Sequence, residues 1–189
     1  MSPSIVRSLL GVLIAVVIVT ANAETPWKRF VNHAGWQIGY PGDWKPTGCA
    51  ACEDLTAADN TVVMFQSPGY RGHVQVEKLA DKPAGVTDRH WLWRFKATNS
   101  RDADVLEVQP LTLNGMAALS VIYSAPSSPV AGKGEQHQSI YITHAGASYA
   151  VIVFSPRRIR ITDPIVPVRQ LDIYPIYRRM LLSFRIGGH

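Results

Sequence analysis

Apolar and polar residues alternate along most of this chain, and the alternation gives way to a helical period twice. Trp36-Gln37-Ile38-Gly39-Tyr40 is a short alternating strand stopped by Pro41-Gly42-Asp43, a dense turn signal. Residues 61–66 and 73–79 predict two more strands, with Ser67-Pro68-Gly69 opening their connection. In the second of these, Val74 and Val76 share one face while Gln75 and Glu77 share the other. Residues 49–60 predict a loop or a short helical turn. Residues 105–113 and 116–124 flank Asn114-Gly115, a strong hairpin signal because both turn positions require positive φ. Residues 124–135 are rich in Pro, Ser and Gly and predict a loop. A second hairpin is expected from 138–144 and 148–154 around Ala145-Gly146. In its return strand Tyr149, Val151 and Val153 face one way and Ala150, Ile152 and Phe154 the other. Both faces are apolar, so this strand belongs in the middle of a sheet covered on both sides.

The first helical stretch spans 87–98, where Trp91, Leu92 and Phe95 fall at i, i+1 and i+4 and Thr87 or Asp88 can act as N-cap. The second is clearer. Ile173, Ile176, Tyr177, Met180, Leu181 and Phe184 form the stripe of a helix docked on a sheet. Asp172 is expected as its N-cap, Pro175 is tolerated in the first turn, and Arg178 and Arg179 lie off the stripe toward solvent. Six or seven hairpin-joined strands with two helices predict an α+β fold. The expected form is an α/β/α sandwich with a largely antiparallel central sheet and helices on both faces.

Residues 1–23 depart from this globular pattern. Arg7 precedes an apolar run over 9–19, and Ala21-Asn22-Ala23 is a small-x-small cleavage site. The segment is read as a signal peptide cut between Ala23 and Glu24, with a retained membrane anchor as the rival. The apolar run is about half of the ~20 residues a spanning helix needs, and no second apolar stretch follows, so no stable span is expected after cleavage. No cysteine near Ala23 could carry a lipid, and Arg7 has no arginine beside it for twin-arginine export. The mature chain, 24–189, is expected to be a single domain, periplasmic or secreted.

Composition adds a folded core and a charge asymmetry. The chain of 189 residues is 47% hydrophobic and carries a formal charge of +5, of which Arg7 contributes one. Between 157 and 185 stand seven arginines against Asp163 and Asp172 alone. Arg157, Arg158, Arg160, Arg178 and Arg179 are therefore the candidate basic surface, suited to an anionic surface or an acidic envelope protein. Nucleic acid is excluded on compartment grounds and by the lack of a basic motif interleaved with aromatics.

Cys49-Ala50-Ala51-Cys52 is the one chemically loaded motif. Haem attachment would need His at 53, where Glu53 stands. Zinc would need two more ligands, and the histidines at 33, 73, 90, 137, 144 and 189 include no i, i+4 pair. A redox centre needs a cation or helix N-terminus to hold the thiolate, whereas Glu53 and Asp54 follow directly and the preceding Pro46-Thr47-Gly48 is a turn. In an oxidising compartment Cys49 and Cys52 are expected to form a structural disulfide, worth about 2 kcal/mol for so small a loop. Gly132-Lys133-Gly134 lacks the spacing of a phosphate loop, and no nucleophile elbow is present. Trp91 is expected in the core, while Trp93 points off the apolar side of its helix and could line a ligand site.

Gly35-Trp36-Gln37-Ile38-Gly39-Tyr40-Pro41-Gly42-Asp43-Trp44 resembles the opening motif of PsbP-like and DcrB-like proteins, with Trp36 in place of the usual Phe. The later order is also similar: a strand pair, a helix, the Leu113-Asn114-Gly115 hairpin, a second hairpin and a helix ending in Leu182-Ser183-Phe184. The resemblance covers about 27–186. It implies an α/β/α sandwich used as an accessory or binding domain, without shared catalytic residues. The metal- and photosystem-binding residues of the plastid members have no counterparts here. The expectation is therefore a non-enzymatic envelope domain needing no cofactor. The alternatives are a thiol–disulfide protein using Cys49 and Cys52, or a small-molecule carrier with a cavity beneath the mid-chain helix.

Overall fold

The computed structural model describes residues 25–33, 35–48, 62–68, 73–99, 103–124, 136–154 and 167–187. The chain opens with β1 (Trp27–Asn32), β2 (Trp36–Pro41), β3 (Lys45–Gly48), β4 (Val62–Gln66) and β5 (His73–Lys78). Helix α1 (Asp88–Asn99) follows, then β6 (Asp104–Leu113), β7 (Met116–Ser124), β8 (Gln136–His144) and β9 (Ala147–Phe154). A short 3-10 turn, Val168–Gln170, leads into α2 (Tyr174–Ser183) and β10 (Arg185–Ile186).

The strands form a seven-stranded sheet in the order β3-β4-β5-β9-β8-β7-β6 and a three-stranded sheet in the order β1-β2-β10. Every pairing is antiparallel. The two hairpins sit where their turn chemistry placed them. Asn114 and Gly115 have φ of 52° and 82°, and Ala145 and Gly146 have φ of 48° and 86°. Strand β9 lies between β5 and β8, as its doubly apolar pattern requires.

The two faces of β9 look into two separate cores. Tyr149, Val151 and Val153 join Phe65, Val74, Val76 and Ile142 beneath Trp36 and Ile38 of β2, Tyr177 and Met180 of α2, and Phe184 just after it. Ala150 and Ile152 join Leu119, Val121, Tyr123 and Tyr141 beneath Leu92 of α1, with Phe95 and Phe154 packed at the margin. Each such side chain taken fully out of water contributes about 1.5–3 kcal/mol. A helix stands on each face, as expected, but the second face carries more than a helix: α1 covers one face, and α2 together with the small sheet covers the other.

Other departures are local. Lys45–Gly48, expected as a turn at Pro46-Thr47-Gly48, is instead an edge strand paired with β4, a position where a missing proline N–H breaks no ladder. At the start of α1, the Thr87 hydroxyl accepts the His90 N–H (3.3 Å) and serves as the cap. Asp172 does not cap α2. Ile173 occupies that position with helical φ and ψ, because the helix is fed from a turn in which Tyr174 N–H already bonds to Leu171 O (2.9 Å). A side-chain cap needs extended backbone there. The α2 stripe is buried at Ile173, Tyr177, Met180 and Phe184, while Leu181 and Ile176 are half-buried at its margins.

Candidate functional site

Strand β1 divides its residues between a core and a surface. Phe30 packs on Trp36 (ring centroids 5.4 Å apart) and edge-on to Phe65 (5.5 Å). Trp27, Arg29 and Val31 alternate onto the opposite, outer face. The register carries that face across the sheet: Arg29 pairs with Gly39, and Val31 with Gln37, which pairs in turn with Arg185 of β10. Beyond β10 the edge of β2 is taken by α2. Gly39 N–H donates to the Ser183 hydroxyl (2.7 Å), and a Cβ at 39 would stand 3.2 Å from that oxygen. This close approach brings the Arg179 guanidinium over the Trp27 ring, 4.2 Å from its centroid. Arg185 folds back to donate to the carbonyls of Leu182 and Phe184, each at 2.8 Å, satisfying the end of the helix.

The result is a groove of about 510 Å³ between the small sheet and α2, lined by Trp27, Lys28, Arg29, Gln37, Ile38, Gly39, Arg179, Ser183 and Arg185. Four of these side chains are cations, and among the described residues no carboxylate lines it. Trp27 and Arg179 also line an adjoining hollow of about 310 Å³, whose other walls include Pro41, Trp44, Pro175 and Ile176, with Thr25 and Asp43 at its rim. The arrangement has the chemistry of an anion-binding face with an apolar margin.

Of the residues expected to form a basic surface, Arg178 and Arg179 are exposed on α2, and Arg179 alone of the two lines the groove. Arg157, Arg158 and Arg160 lie outside the described residues, as do Cys49, Cys52, Ala23, Glu24 and the 132–134 segment. Sequence reasoning missed Lys28 and Arg29. The signal was present in Trp27-Lys28-Arg29-Phe30-Val31-Asn32, but its cations and apolar residues fall on both faces of the strand. Arg169, one of the seven clustered arginines, is instead paired with Glu107.

On the α1 side, Trp91 is buried and its indole N–H donates to the Ser148 hydroxyl (2.9 Å), which bonds on to Thr143 (3.2 Å). Trp93 is 37% exposed, with Lys96 over its ring at 5.5 Å. The hollow beneath α1 measures only about 170 Å³, below the ~300–1,000 Å³ usual for small-molecule sites. At the far end of this face Tyr123, His137, Phe154 and His73 form a row across four strands. The His137 ring lies 3.8 Å from Tyr123, and burial holds its pKa down at about 4. His73 stacks on Phe154 at 4.5 Å and is lowered by burial as well. Among the described residues no group of three His, Cys, Asp or Glu side chains is placed to hold a metal ion, and no helix is long and apolar enough to cross a membrane.

No protein-family model matches the chain, and no curated protein matches it in sequence. Solved structures do match. The chain is similar to the cyanobacterial PsbP protein (CyanoP) of Synechocystis, with 13% identity, a TM-score of 0.56, and coverage of 94% of this chain and 98% of that one. It is also similar to a Pseudomonas aeruginosa protein of unknown function, PA94, at 9% identity and a TM-score of 0.51, covering 86% and 99% of the two chains. A Bacteroides thetaiotaomicron structure matches at 8% identity and a TM-score of 0.52, and there 86% of this chain spans about half (49%) of the other. With its antiparallel central sheet, its two helices and this set of neighbours, the chain has the PsbP-like fold that its Gly35–Trp44 opening resembles.

Proposed function

We propose that the protein is an exported, non-enzymatic accessory domain of the bacterial cell envelope that acts by binding, with the groove between the small sheet and α2 as its binding face. The observation that carries this reading is the groove itself. Arg29, Arg179 and Arg185 converge from three elements on one surface, Lys28 borders the groove from the other face of β1, and no carboxylate is among the lining residues. A one-signed surface of this kind attracts and orients an anionic partner. Export is supported by the leader pattern of residues 1–23, and the PsbP-like fold is compatible with an accessory role. Cys49 and Cys52 fit the same reading as a structural disulfide formed after export.

The test is expression of the full chain in a bacterium, followed by recovery of the soluble envelope fraction. Intact mass should show a chain beginning at Glu24 and lighter by the two hydrogens of a Cys49–Cys52 bridge. Full-length chain confined to the membrane fraction would refute export. A reduction potential below about −300 mV marks the bridge as structural, whereas −120 to −200 mV would favour a thiol–disulfide function.

A further inference from the structure

We propose that the partner of this face is an anionic phospholipid bilayer, docked against the outer side of the small sheet and α2. The inference rests on the exported, binding role argued above and names its partner. Three independent observations converge on it.

The first is charge. Arg29 and Arg185 stand on one sheet face through the register of β1, β2 and β10, and Arg179 is brought beside them by α2. The second is the apolar residues set among the cations. Val31 is 55% exposed on the same strand face as Arg29. Leu182, three residues from Arg179 and holding Arg185 through its carbonyl, is 58% exposed. Trp27, half-buried beneath Arg179, adds an indole at the same level. Cations mixed with an aromatic ring and a few aliphatic side chains suit the headgroup boundary of a membrane.

The third observation is where the chain joins the fold. Thr25 lines the hollow next to Trp27 and Arg179. The following residue is pinned, with Gly42 N–H donating to Pro26 O at 2.7 Å. The preceding 24 residues, which carry the apolar run over 9–19, are therefore tethered at the rim of this face. While such a leader is held at a membrane, the surface beside its attachment point is the one presented to the bilayer. Charge complementarity then retains the domain there once the leader has been removed.

The experiment is flotation of the protein purified from the envelope fraction with vesicles of phosphatidylglycerol and phosphatidylcholine in equal parts, against phosphatidylcholine alone. The expected result is binding to the anionic vesicles only, weakened by salt. The double variant Arg29→Glu/Arg179→Glu should bind about tenfold or more weakly. The equally charged control Arg89→Glu/Arg94→Glu, on α1, should bind like the parent apart from a small loss from net charge. Thermal unfolding of both variants checks that each is folded. Should the first prove unstable, Arg29→Gln/Arg179→Gln supplies the same comparison. Equal weakening by both doubles would overturn the proposal, as would absence of binding to anionic vesicles. Preferential binding of soluble polyglutamate over vesicles would also overturn it, in favour of an acidic protein partner. Intact mass of the same preparation reports export separately, so a cleaved chain that ignores the vesicles refutes the lipid partner and leaves the export reading standing.

Discussion

The two faces of the seven-stranded sheet are closed in opposite ways. Helix α1 lies between β5 and β6 in sequence and covers β7 and β8 through Leu92 and Phe95, so its lid comes from mid-chain. The other face is closed by both ends of the described chain: β1 and β2 from the start, α2 and β10 from the finish. The locally made lid leaves a margin, where His73, Gln75 and Glu77 stay half-exposed. The lid made from distant segments seals the sheet with rings. Trp36 packs on Tyr149 and Phe184 at 6.5 and 6.0 Å, and Tyr149 on Phe184 at 5.9 Å. Segments far apart in sequence therefore build the drier side, and stability should be distributed accordingly.

The sharpest way to break that comparison is to remove one ring. Phe184→Ala should cost about 3–5 kcal/mol in urea unfolding, because a fully buried aromatic leaves a cavity that neither sheet can close. Leu92→Ala, beneath α1, should fall near the lower end of its ~2–5 kcal/mol range, since Leu92 borders a hollow already open to solvent. A larger loss at Leu92 than at Phe184 would show that the ranking of the faces is wrong.

A pH titration sharpens the same contrast. His137 stays neutral in the folded protein down to about pH 4 because it is desolvated, whereas the unfolded chain protonates it near its ordinary value of 6.5. Below 6.5 the unfolded state binds the extra proton, so stability should fall as pH drops from 6.5 toward 4. His73, lowered for the same reason, adds in the same direction. His137→Phe should flatten this part of the stability–pH curve. An unchanged slope in the variant would show that His137 is not the source.

The smallest effect separates the two hairpins. Ala145 holds φ of 48°, a left-handed conformation that disfavours a Cβ, in the place where the other hairpin has Asn114. Ala145→Asn should gain about 0.5 kcal/mol, read from the chemical midpoint. The reverse change at the other turn should cost more, because the Asn114 side chain also donates to Leu182 O (3.1 Å) and Phe184 O (3.0 Å), tying its turn to α2.

Strands β2 and β4 to β9 and both helices were legible because each has a single apolar rhythm: period two with turn residues at the ends, or the Ile173-to-Phe184 stripe. Strand β1 was not. Trp27 and Val31 stand on one face with Arg29, and Lys28 and Asn32 on the other with Phe30, so neither side reads as core. Strand β3 hid behind Pro46, which only an edge position tolerates. The groove was half-legible. The arginine excess near the C-terminus pointed to Arg179, but Arg29 reaches it through strand register, which local spacing does not encode.

The pairing of β10 with β2 also imposes an order of events on a chain made from its N-terminus. Trp36 and Gln37 are synthesised early, yet their partners Ile186 and Arg185 come some 150 residues later. The ring cluster cannot close, and the groove cannot form, until Phe184 and Ile186 are free to reach β2. Until then β1 and β2 have neither α2 nor β10 beside them, and Trp36 and Ile38 lack the helix and the Phe184 ring that close over them. The last strand is thus a latch: the mid-chain lid can close while the chain is still being made, but the lid built from distant segments must wait for β10.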